Sequence, residues 1–166
     1  MGKFSYKVDS KPTMELIEKL NEDRNVYFRF HDPSIRMTHK SKSWGMIYSS
    51  EREALADGSE VLDGKSCMDT IEGLMSYIDA YDKDYVVMAF IGDYNGTGSD
   101  GECVCRYRGK VAVFDFEEFF DFYENVYKKN LYARLKEDYN NTKPELRRFK
   151  DWSMLQRLEY EFSLNF

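Results

Sequence analysis

At 166 residues, with 33% of them charged and a net charge of −6, the chain is long enough for one domain with a substantial core. The acidic balance argues against holding nucleic acid through a generally basic face, and no apolar run approaches the roughly 18 residues of a membrane span. The N-terminus has no apolar signal core, so a cytoplasmic protein with reduced thiols and no membrane attachment is expected.

Residues 1–12 are polar and mixed and read as a disordered segment ending at Pro12, a good helix start. A helix over 13–23 follows, with Met14, Ile17 and Leu20 at three-residue spacing on one face. Val26 to His31 is β-branched and aromatic and reads as a strand. Its alternation puts Val26, Phe28 and Phe30 on a core face and leaves Tyr27, Arg29 and His31 to line a cleft.

The stretch 34–43, with Arg36, His39, Lys40 and Lys42, is a basic loop. It is either a solvated surface or a device that steers an anion. A short strand over 44–48 leads into Ser50 and Glu53, a capping box that starts a helix at Glu51 and ends it at Gly58. Ser66 is then expected to cap a longer helix reaching about Tyr81, with Cys67, Ile71, Leu74 and Ile78 buried.

Strands over 85–91 and 103–107 flank a glycine-rich acidic loop at 92–102, and Arg108-Gly109 reads as the hairpin turn into a third strand at 110–114. Asp115 caps a helix to about Lys129 that buries Phe119, Phe120, Tyr123 and Val126. After a break at 140–144, a C-terminal helix over 144–160 carries Leu146, Phe149, Leu155 and Leu158 as apolar positions. This order points to a single α+β domain over 1–166, with a mainly antiparallel sheet and flanking helices.

Metal and nucleotide-hydrolase motifs are weak. Cys103 and Cys105 share a strand face but lack the further Cys or His of a zinc site, and His31 and His39 are eight apart. The loop at 93–102 alternates oxygen-bearing residues as a calcium loop does, yet the twelfth position is Val104 where an EF-hand has Glu. A looser calcium site stays open there. No P-loop occurs, and no metal is expected at the site.

Glu102, an exposed carboxylate where the glycine loop enters a strand, is the most suggestive single residue. The order of three elements carries the functional signal: Arg29 and His31 on one strand, Tyr48-Ser49-Ser50 running into a helix, and Asp100-Gly101-Glu102 entering a late strand. Over about residues 26–115 this resembles the ADP-ribosyltransferase fold, including the RES-type NAD-degrading toxins.

The resemblance implies NAD as cofactor. It also implies Arg29 on the NAD phosphates or ribose, Ser49 orienting the site, and Glu102 stabilising the oxocarbenium-like charge as nicotinamide leaves. Asp100, two before Glu102, would help receive the acceptor, and Ser50 would adjoin the cofactor. In the family's other branch, His31 and Tyr48 replace Arg29 and Ser49, with Tyr48 stacking on nicotinamide. The sequence departs from the family in Phe30 after Arg29, in Tyr-Ser-Ser at the middle motif, and in the shorter Asp100. Two functions follow as expectations. One is an ADP-ribosyltransferase or NAD glycohydrolase acting on a protein or nucleic-acid-associated target. The other is a non-catalytic acidic inhibitor, of phage or plasmid type, that covers a basic surface of a nucleic-acid enzyme using Glu117, Glu118, Asp121 and Glu124.

Overall fold

The computed structural model describes residues 3–44, 48–98 and 100–163. The fold is α+β, with a four-stranded antiparallel sheet, helices beside it, and a separate two-stranded ribbon. Its contacts divide into two compact units, Met1–Phe119 and Phe120–Phe166.

In the first unit, α1 (Met14–Glu22) starts where Thr13 turns extended and its hydroxyl accepts from the Leu16 amide at 3.2 Å. Ile17 and Leu20 are buried, as their spacing predicts. The preceding segment has no regular structure but is held in place. The Asp9 and Ser10 amides donate to the Val113 carbonyl, the Asp9 carboxylate accepts from the Val113 amide at 2.8 Å, and Lys110 pairs with Asp9.

The sheet order is β1-β5-β6-β4, built from β1 (Val26–His31), β4 (Lys65–Cys67), β5 (Val86–Thr97) and β6 (Cys103–Asp115). β5 and β6 form one long hairpin in place of the three strands expected from sequence. Pairing runs from Val86 opposite Asp115 to Thr97 opposite Cys103, so Gly92 to Thr97 belong to a strand and only the tip remains a loop. Arg108-Gly109 is not a turn. Ile91 faces Gly109 and Gly92 faces Tyr107, which leaves Arg108 as the extra residue of a β-bulge. A two-residue turn and a bulge both place an unpaired residue beside a glycine, and only the partner strand tells them apart.

Just beyond β4, the Phe28 and Met68 amides donate to each other's carbonyls at 2.8 Å, an isolated antiparallel bridge. The two outer strands of the sheet meet through it, so the sheet curls round and acquires an inner face. Tyr27, Met88, Phe90, Cys67, Cys105 and Val113 form a buried cluster there, joined by Met37. The opposite face carries Phe28, Phe30 and Phe114, with Phe116 and Phe119 set against Phe30 and Phe114 at ring distances of 5.5 and 5.3 Å.

The helix expected from Ser66 begins later. Residues 65–67 pair with β6 as β4, and α3 (Ile71–Met75) is capped by Thr70, whose hydroxyl accepts from the Gly73 amide at 3.0 Å. A 3₁₀ turn, Ile78–Ala80, follows, and Ile71 and Leu74 are buried as expected. Gly64, at φ +123°, makes the entry to β4 possible, because a Cβ there would come within 2.6 Å of the Cys105 carbonyl oxygen. α2 (Glu51–Ala56) matches expectation, with Ser50 accepting from the Glu53 amide at 3.1 Å. Its return bond differs from an ordinary capping box, because Glu53 takes the Ser49 amide. The ribbon pairs β2 (Lys42–Ser43) with β3 (Leu62–Asp63). Most of the strand expected over 44–48 lies outside the described residues.

α4 (Phe116–Phe122) follows β6 directly. In the second unit a π-helical turn, Tyr123–Tyr127, leads to α5 (Lys128–Asn141), which extends well past the expected end at Lys129. The wider turn shifts the buried phase from Tyr123 onward, after Phe120. Phe122, Tyr123 and Tyr127 are buried, while Phe120 and Val126, expected inside, are 38% and 39% exposed. The C-terminal helix is shorter than expected: Pro144–Phe149 is a 3₁₀ segment and α6 covers Ser153–Ser163. Leu155 and Leu158 are buried, but Leu146 and Phe149 are exposed. Among the described residues, no helix is long and apolar enough to cross a membrane.

Candidate functional site

The alternation of β1 sends Tyr27, Arg29 and His31 to one side of the sheet, and the curl of the sheet decides their fates separately. Tyr27 and His31 do not line a cleft. Tyr27 belongs to the inner apolar cluster, and His31 is 1% exposed. The His31 Nε2 lies 2.7 Å from the Ile35 carbonyl oxygen, which can only accept, so Nε2 carries the proton and the partnerless Nδ1 is bare. Burial, reinforced by the Arg29 charge, lowers its pKa to about 3. His31 is thus a neutral structural histidine.

Arg29 opens onto a pocket of about 540 Å³. Its Nη1 donates to the Ser66 carbonyl at 2.8 Å, its Nε is buried without a partner, and no carboxylate pairs with it among the described residues. Lys42 from β2 and Lys65 from β4 line the same space, so among the described residues three cations and no carboxylate face it. The Lys65 ammonium lies 5.8 Å from the Trp44 ring centroid, and burial together with Arg29 lowers its pKa to about 8.

Aromatic rings form the rest of the wall. Tyr77, Tyr81 and Tyr85 follow one another at four-residue intervals along the segment between α3 and β5 and all reach the pocket. Tyr81 is braced by Phe30 at 4.8 Å and meets Tyr85 edge-on at 5.0 Å. Tyr48 also lines the pocket, its hydroxyl donating to Asp57 at 2.7 Å and accepting from Ser59 at 2.8 Å. Ser49 lies in the lining too, but its hydroxyl and its amide both go to Glu53, so its polar groups serve the start of α2.

The structure therefore brings Arg29, Tyr48 and Ser49 together at one pocket, and leaves Ser50, His31, Asp100 and Glu102 outside its lining. Ser50 is the helix cap. Glu102 is not the exposed carboxylate expected from sequence but is fully buried, because the hairpin tip folds over it. Its Oε2 accepts from the Asp100 amide at 3.0 Å, and its Oε1 has no partner. Burial, with Asp100 nearby, holds its pKa above the usual carboxylate value. Gly98 makes this closure possible, since any Cβ there would land on the Glu102 carboxyl group. The Tyr77 hydroxyl donates to the Asp100 carbonyl at 3.2 Å, so this tip stands directly behind the tyrosine wall.

Sequence reading missed Lys65, which opens a strand whose next residue was expected to cap a helix, and the three tyrosines, whose regular interval was a visible signal. The basic loop divides its roles. Lys42 joins the pocket, Arg36 lies over the Phe4 ring at 4.2 Å, and His39 and Lys40 face a smaller pocket beside Arg106 and Arg108. The three thiols are free, and burial pushes Cys103 up to about 11. Among the described residues, no group of three or more His, Cys, Asp or Glu side chains could hold a metal ion. Comparison with protein-family models, curated proteins and solved structures found no match.

Proposed function

We propose that the pocket around Arg29 binds a phosphorylated nucleotide of the NAD type. The observation that carries this reading is a half-buried guanidinium whose Nε is buried without a partner and which has no carboxylate partner among the described residues, flanked by two lysines. A charge partly withdrawn from water without a counter-ion is costly, and a diphosphate supplies the missing acceptors and charge together. Trp44, Tyr81 and Tyr85 offer faces for a planar base or nicotinamide ring, and the volume lies within the usual range for small-ligand sites.

ADP-ribosyl transfer or NAD hydrolysis is the narrower form of the proposal. It rests on the ordered Arg29, Ser49 and Glu102 resemblance, and it requires the tip at 98–102 to turn inward so that Glu102 passes the tyrosine wall. Isothermal titration of the protein with NAD, ADP-ribose and nicotinamide tests the binding. NAD and ADP-ribose should bind more weakly as salt is raised, and nicotinamide alone should not bind. Absence of heat with both diphosphates removes the reading. Release of nicotinamide from NAD tests the narrower form.

A further inference from the structure

We propose that Lys65 is a nucleophilic amine that forms an imine with a phosphorylated aldehyde or ketone held in the Arg29 pocket. This inference rests on the pocket's taking a phosphorylated ligand.

Lys65 differs in its surroundings from the lysines that sit in ion pairs. Lys110 pairs with Asp9, Lys128 with Glu124 and Glu161, Lys136 with Glu159, and Lys150 with Asp138. Lys65 has no carboxylate partner among the described residues and projects instead into a pocket walled by rings. Its strand is fixed by pairing with β6, where Lys65 stands opposite Cys105, so the amine is delivered from a rigid element.

The groups facing it are Arg29 from β1, Lys42 from β2, and the phenols of Tyr48, Tyr77, Tyr81 and Tyr85. None is an anion at neutral pH, and Arg29 is a permanent cation. Desolvation beside a like charge is what makes a lysine amine available as a nucleophile, and a pKa near 8 leaves a usable fraction neutral. Arg29 and Lys42 remain to hold a phosphate while Lys65 reacts, so binding and bond formation fall to different residues.

The step balances within the pair of reactants. The neutral Nζ lone pair attacks the carbonyl carbon and forms the C–N bond. The carbonyl oxygen acquires the two protons that leave nitrogen and departs as water, which leaves C=N and requires no oxidant or reductant.

Pyridoxal 5′-phosphate, a phosphorylated aromatic aldehyde, is the probe. The full-length protein is mixed with a limiting amount at pH 8, reduced with borohydride, and mapped by peptide mass. Lys65 should carry the phosphopyridoxyl group at least about tenfold ahead of the exposed Lys7, Lys83 and Lys129. Its labelling rate should level off above about pH 8, whereas theirs keeps rising. NAD should protect Lys65, and pyridoxal without phosphate should label it about tenfold more slowly, because the phosphate contacts are lost.

Lys65→Arg should abolish the imine absorbance, whereas Lys83→Arg, outside the pocket, should retain it. Labelling of wild-type Lys65 no faster than of the exposed lysines overturns the proposal. If NAD binds and Lys65 stays inert, the imine falls and the nucleotide pocket stands. If neither NAD nor pyridoxal phosphate binds, both fall.

Discussion

The Arg29 guanidinium of β1 donates through Nη1 to the Ser66 carbonyl of β4 at 2.8 Å, which ties the two strands at the mouth of the pocket and leaves Nε without a partner. Arg29→Met keeps much of the buried stem and removes the charge. If the pocket takes a nucleotide as proposed, affinity for NAD should fall by about one to two orders of magnitude, the scale of a lost charge-assisted hydrogen bond. Fold stability should change by no more than about 1 kcal/mol, because the substitution also removes a partly buried charge that has no counter-ion among the described residues. Calorimetry and urea denaturation of the same variant check both parts.

Gly98 and Glu102 are predicted to behave as one unit. Gly98→Ala should destabilise by about 1–3 kcal/mol, since the new methyl group must displace the buried Glu102 carboxyl. The folded-state pKa of Glu102 is raised, so its favourable contribution is complete below the ordinary carboxylate value and is lost as pH rises through the folded value. Glu102→Gln should therefore be more stable than wild type at pH 7, by about 1 kcal/mol, and should lose that advantage near pH 4. Denaturation midpoints at the two pH values decide it.

His31 sets an acid limit. Its folded pKa of about 3 lies below the ordinary 6.5, so the unfolded chain binds the extra proton between those values. Stability present above pH 6.5 should decline as pH falls, by roughly 1.4 kcal/mol for each unit in that window from this group alone. The ring resonances of His31 should stay those of the Nε2–H tautomer down to about pH 4, and their titration near pH 6.5 in the folded protein would contradict the assignment.

The helix start at Thr70 can be checked directly. Thr70→Ala should cost about 1 kcal/mol, the usual value of a hydroxyl N-cap. Ser66→Ala should lose instead the hydroxyl contact between Ser66 and Ser43, with no cap broken. Helical amide exchange over Ile71–Met75 separates the two, because only the Thr70 variant should speed it.

Local chemistry determined much of this protein. Thr13 and Ser50 take up amides of the following turn, and β1 spans Val26–His31 as its residue types require, because these features depend on neighbours within a few positions. The α+β class and the antiparallel sheet also followed from the order of elements. Tertiary structure alone decided what long-range pairing controls. Residues 65–67 became a strand because β6 was there to pair with them, and Arg108 became a bulge because Gly92 faced Tyr107. The bridge from Phe28 to Met68 curled the sheet, so both faces of β1 were covered and only Arg29 of the expected cleft-lining trio reached open space. The hairpin tip folded back over Glu102, and segments far apart in the chain brought Lys65, Lys42 and three tyrosines to one pocket. Sequence periodicity reports which face of an element a residue occupies, whereas what stands opposite that face is settled by segments far along the chain.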